Sequence, residues 1–131
     1  MDRPMTRHAM RSTAGAAVLA WLVAACSTAS GSLGPPPTAP PGGAVIVAHD
    51  LAFDRTRVEA PAGVTFQLLF DNRDSAPHNV TILDANGGST FVGETFGGPA
   101  SRMYAIPPLA AGTYRFRCDV HTDMTGTLVA G

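Results

Sequence analysis

Two short segments carry side chains of differing softness that could meet on one metal ion. Cys118-Asp119-Val120-His121-Thr122-Asp123-Met124 supplies a thiolate, an imidazole and a thioether, and Pro77-His78-Asn79-Val80 supplies a second imidazole from well upstream. Thiolate and thioether are soft donors and imidazole is borderline, so His78, Cys118, His121 and a weak axial Met124 suit copper that moves between two oxidation states. Magnesium and calcium take oxygen ligands instead. Zinc would accept a Cys and two His, but it has no use for Met124 and offers no redox step. Singly, a Cys beside a His, a Met or a Pro-His pair is ordinary core or turn material; together, at these spacings, they point to a metal centre.

The elements that must position these residues read as strands. In Val64-Thr65-Phe66-Gln67-Leu68-Leu69-Phe70-Asp71, Val64, Phe66, Leu68 and Phe70 fall on one face and Thr65, Gln67 and Asp71 on the other, the alternation of a half-buried strand. Gly112-Thr113-Tyr114-Arg115-Phe116-Arg117-Cys118 repeats it, with Tyr114, Phe116 and Cys118 inward and Arg115 and Arg117 toward water. Further strands are expected over residues 45–48, 57–59, 79–83, 89–92, 102–106 and 126–129. Turn chemistry separates them, as in Asp71-Asn72-Arg73-Asp74-Ser75 and Asp84-Ala85-Asn86-Gly87-Gly88. No window has a convincing helical period. The expected fold is all-β, a Greek-key sandwich of about seven or eight strands over residues 44–131.

With these residues in view, the segment 44–131 resembles the cupredoxins, the blue type 1 copper family, with an amicyanin/plastocyanin-like ligand pattern. The likeness is carried by Asn72 and the following Pro77-His78-Asn79-Val80, by the strand 112–118, and by two-residue gaps on either side of His121 that match the short amicyanin-type loop. It implies one mononuclear type 1 copper ion held by His78, Cys118, His121 and Met124. It further implies that Asn79 hydrogen-bonds across the two ligand segments. One departure stands out: Val120 and Thr122 occupy places where amicyanin-like loops carry prolines, and Asp119 and Asp123 make the rim more polar. These two acids are read first as solvated loop carboxylates, and His49 as a surface or edge residue.

Ahead of the domain, Arg3, Arg7 and Arg11 flank an uncharged run, 12–25, rich in Ala, Val and Leu. The run is shorter than the roughly 20 residues a spanning helix needs, so residues 1–25 read as a secretory signal. Leu22-Val23-Ala24-Ala25-Cys26 resembles a bacterial lipobox, which would make Cys26 the acylated mature N-terminus. With Cys118 committed to metal, Cys26 has no disulfide partner, which favours acylation over an idle exported thiol. Residues 26–43 are almost all Ser, Thr, Ala, Gly and Pro and read as a tether, extended at about 3.1 Å per residue where polyproline-like.

The chain has nine arginines, no lysine and ten acids; losing Arg3, Arg7, Arg11 and Asp2 with the signal leaves six against nine, a net charge of −3. That balance excludes nucleic acid as a partner, which needs a basic face. The sequence thus predicts a monomeric, lipid-anchored, extracytoplasmic one-electron carrier serving membrane-associated redox proteins. Copper storage, delivery or sensing with the same ligands is the alternative. An oxidase or reductase would need further His-rich ligand sets, and no base-orienting acid follows a hydrolase triad pattern, so no catalysis is expected.

Overall fold

The computed structural model describes residues 34–131. The leader, Cys26 and the first part of the tether lie outside the described residues. Eleven strands follow in order: β1 Ala44–His49, β2 Ala52–Phe53, β3 Arg57–Ala60, β4 Phe66–Asn72, β5 Pro77–His78, β6 Thr81–Leu83, β7 Ser89–Val92, β8 Phe96–Gly97, β9 Ala100–Ile106, β10 Gly112–Arg117 and β11 Thr125–Ala130. They form a four-stranded sheet, β2-β1-β4-β9, a five-stranded sheet, β3-β11-β10-β6-β7, and a ribbon of β5 with β8. Both large sheets are mixed, since β1 runs parallel to β4 and β3 parallel to β11. Following the strand orders, the chain crosses between the large sheets after β2, after β3, after β4 by way of β5, after β7 by way of β8, and after β9, as a Greek-key sandwich does. No helix among the described residues is long and apolar enough to cross a membrane.

Alternation places the core. Along β4, Phe66, Leu68 and Phe70 are buried while Gln67 is exposed; along β10, Phe116 is buried between exposed Arg115 and Arg117. A chain of rings joins the sheets, with Phe53 of β2 5.2 Å from Phe116 of β10, and Phe70 of β4 5.6 Å from Phe96 of β8. Each fully buried Phe contributes about 1.5–3 kcal/mol of transfer free energy. Gly126 lies directly over the Phe116 ring, where a Cβ would collide with the ring carbons, so glycine is required at the pairing of β10 with β11.

Two expectations need correction. Val64 is 51% exposed rather than inward, because pairing with β9 begins at Phe66 opposite Ile106 and leaves the two preceding residues at the rim. The strand expected from Asn79 begins at Thr81, with Asn79 and Val80 forming a buried link from β5. The two-residue strands β2, β5 and β8 are too short to show a period in sequence. The end of the tether also touches the domain: Arg73 donates from Nη1 to the Gly34 carbonyl at 2.8 Å and from Nη2 to the Pro35 carbonyl at 3.0 Å.

Candidate metal centre

Cys118 follows the last residue of β10 on the inward side of the strand, and the next six residues turn back into β11. Two backbone bonds close that turn, Cys118 N–H to the Met124 carbonyl and Met124 N–H to the His121 carbonyl, both 3.0 Å. The loop is thus pinned at both ends, with Cys118 at 0% and Met124 at 2% exposure and His121 partly exposed. His78 comes from β5, at 0% exposure.

The three heteroatoms converge. His78 Nδ1 lies 3.8 Å from Cys118 Sγ, His121 Nδ1 3.9 Å from the same sulfur, and the two Nδ1 atoms 3.0 Å from each other. His78, Cys118 and His121 therefore offer one ligand atom each around a common point, and Met124 is buried at the end of the loop that carries Cys118 and His121.

The other ring nitrogen of His78 explains which one is free to ligate. Nε2 is 2.9 Å from Asp74 Oδ2. Burial would raise the Asp74 carboxyl, but the backbone N–H groups of Leu51 and Asp50 and the His78 ring outweigh it and hold the group below its ordinary value. An ionised Asp74 accepts the Nε2 proton, which leaves Nδ1 with its lone pair aimed at the centre. Two such nitrogens 3.0 Å apart beside a buried sulfur require a proton or a cation between them, and a donor set of two imidazole nitrogens and one thiolate with a thioether close by fits copper.

Asp74 also holds a turn. Asp50 and Leu51, at φ 54° and 58°, are the central residues of the two-residue β1–β2 hairpin. This is the left-handed pair a type I′ turn needs, and it normally selects Asn-Gly. A bulky Leu there is disfavoured, and the cost is offset because the N–H groups of Asp50 and Leu51 both donate to the Asp74 carboxylate, at 2.9 and 3.0 Å. Asn72 braces the same segment: its Nδ2 donates to the carbonyls of Ala76 and Phe96 at 2.9 and 2.8 Å, and its Oδ1 accepts from Asp74 N–H at 3.0 Å.

Asn79 joins the two ligand segments. Its Oδ1 accepts from Asp119 N–H at 2.8 Å and its Nδ2 donates to Asp119 Oδ2 at 2.9 Å, so the residues following each ligand clasp one another. Thr81 Oγ1 donates to the same carboxylate oxygen at 2.5 Å, and Arg117 Nε to the other at 2.9 Å. Hydrogen bonds from Asn79 first, then Thr81 and Arg117, hold the Asp119 carboxyl below its usual range against some desolvation. Asp119 is exposed, as expected of a loop acid, yet its hydrogen bonds also make it a brace of the site; Asp123 is exposed as well. His49 ends β1 half-buried, 3.2 Å from the exposed Asp50 carboxylate. Sequence reasoning missed Asp74, although a carboxylate four residues before a candidate ligand is a signal that could have found it. Cys26 lies outside the described residues.

Comparison with known proteins agrees with this geometry. A family model described as a cupredoxin-like domain matches residues 15–130. No curated protein matches the sequence. Among solved structures, reduced auracyanin from Roseiflexus castenholzii aligns with a TM-score of 0.59 at 19% identity, over 66% of this chain and 94% of that one. Auracyanin A, a blue copper protein from Chloroflexus aurantiacus, gives 0.59 at 21% over 66% and 96%, and amicyanin from Paracoccus versutus 0.55 at 24% over 70% and 84%. These likenesses concern the fold. On the family match across most of its length, the chain belongs to the cupredoxin-like family.

Proposed function

We propose that the protein is a mononuclear blue-copper electron carrier, exported and held at a membrane by an acyl chain on Cys26. The observation that carries the first half is the convergence of His78 Nδ1, Cys118 Sγ and His121 Nδ1 at mutual distances of 3.0–3.9 Å. When bound, copper supplies the one-electron redox change. His78, Cys118 and His121 would hold it, with Met124 as the weak axial donor.

The chain's own residues do the rest. Asp74 fixes the His78 tautomer and ring plane, and the Asn79–Asp119 clasp keeps the two ligand segments at constant separation, so the donor atoms move little when the charge changes. The packed core excludes water from Cys118 and Met124. His121 alone among the four reaches the surface, and its edge is where an electron would enter or leave without a substrate touching the metal. Membrane-associated redox proteins are the partners this predicts. Storage or delivery of copper calls for a site that opens readily, whereas these ligands are anchored on both sides.

Export and lipid anchoring rest on Leu22-Val23-Ala24-Ala25-Cys26 and on the absence of a second cysteine for Cys26 once Cys118 is committed. Copper loading tests the carrier: rapid electron self-exchange with slow metal release is expected, and fast release with slow self-exchange would assign the protein to copper handling. Cys26→Ser should release the protein from membranes, and continued retention would overturn the acyl anchor.

A further inference from the structure

The outer face of the five-stranded sheet carries a feature that the metal centre does not use. All six arginines of the described residues are exposed or partly exposed, and five have a carboxylate close by: Arg55 with Asp54, Arg57 with Glu59, Arg73 with Asp71, Arg102 with Glu94 and Arg117 with Asp119, at 2.8–3.6 Å. Among the described residues Arg115 has none. It projects from β10 into a groove of about 510 Å³ that is also lined by Arg117, Ser89, Val92 and Thr125 and reaches Cys118.

Register places more charge nearby. Arg115 is opposite Thr127 of β11, which is opposite Arg57 of β3, and Arg117 is opposite Thr125. Residues directly opposite share a face of the sheet, so Arg57, Arg115 and Arg117 lie on one face, with Glu59 beside Arg57 on the same strand. The one carboxylate in the groove is Asp119, and its oxygens are engaged by Arg117 Nε, Asn79 and Thr81. Arg117 uses only Nε in that bond, which leaves its terminal nitrogens, and the whole guanidinium of Arg115, as planar donors facing outward. Two arginines against one engaged carboxylate make the groove locally basic on a domain of six arginines and nine acids, and it lies against the residue whose sulfur belongs to the metal centre.

We propose that this groove is a docking site for an acidic segment of a protein partner, whose carboxylates seat on Arg115 and Arg117 while the hydroxyls of Ser89 and Thr125 contribute hydrogen bonds. Arginine presents a fork that matches carboxylate bidentately. The site gives a partner an approach beside Cys118 that extends to Thr122 of the ligand loop. The reason for docking rests on the electron-carrier reading, but the docking itself does not require copper.

The test titrates the isotopically labelled, copper-free protein with an octa-aspartate peptide and follows backbone amide signals, which also report that each variant is folded. Saturable shifts are expected at Thr81, Ser89, Arg115, Arg117 and Thr125. R115Q should weaken binding about fivefold, the scale of one exposed ion pair; R115K should restore most of it, and R55Q should leave it unchanged. Absence of saturable shifts, shifts confined to residues outside the groove, or equal affinity in R115Q would overturn the proposal. So would Arg115-dependent binding to phosphatidylglycerol vesicles with no response to the peptide, which would assign the groove to a lipid surface. Arg115-dependent self-association with no response to the peptide would assign it to a second copy of the chain. Because copper is not used, loss of the electron-carrier reading would leave these results intact, and failure of the titration would leave that reading intact.

Discussion

His78 and His121 are the same residue type aimed at the same sulfur, yet the protein holds them differently. His78 is fully buried, its Nε2 fixed by Asp74 and that carboxylate in turn tied to the β1–β2 turn. His121 sits in a seven-residue loop closed by backbone bonds, with no hydrogen-bond partner at Nε2 among the described residues and part of its surface in water. One imidazole is built into the scaffold and the other is presented by it. A carrier needs both: a rigid side that limits rearrangement and an exposed side through which a partner couples.

The sharpest way to break that contrast is to delete each ring in turn. Both H78G and H121G should lose the copper spectrum of the parent. Added imidazole should restore it in H121G, whose vacancy opens to water, and not in H78G, whose vacancy lies under the ribbon of β5 and β8. Equal rescue, read by visible absorption, would erase the distinction between the two sides. A smaller effect is expected from D74N, which removes the charged acceptor of the His78 Nε2 proton: copper affinity should fall about 10–100-fold in a competition titration. The matched change D123N, at an exposed acid of the opposite side, should leave affinity unchanged.

Two further variants probe the parts that serve both histidines. N79A breaks the clasp to Asp119 and leaves buried polar groups unpaired, so denaturant unfolding should show a loss of about 1–3 kcal/mol, with copper retained at lower affinity. G126A forces a methyl group against Phe116 beneath the ligand loop and should cost about 1–3 kcal/mol from overpacking. Unchanged unfolding midpoints in G126A would mean that β10 and β11 yield more freely than their packing implies.

Much of this was legible in the residues. Alternation over 112–118 placed Cys118 inward because one side of that strand faces the core, and burial follows the pattern at Phe116 and Cys118. The short spacing brought Cys118 and His121 together because a short closed loop leaves few places for its side chains to go, and the fold carries His78 to them from β5. What stayed hidden depends on partners distant in sequence. Asp50-Leu51 does not read as a type I′ turn, since the carboxylate that stabilises it belongs to Asp74. The bracing role of Asp119 stays hidden because the Asn79 and Thr81 that engage it lie on another segment. Arg115 and Arg57 become neighbours on a face only through the register of β10, β11 and β3, which no local pattern encodes.

Absorption and electron paramagnetic resonance spectra of the copper(II)-loaded protein, taken beside those of C118S, bear most directly on the central claim that one copper ion is held by Cys118 with His78 and His121. An intense visible thiolate-to-copper charge-transfer band that vanishes in C118S is expected. A stoichiometrically loaded protein that shows only weak ligand-field absorption, or a band indifferent to C118S, would contradict it.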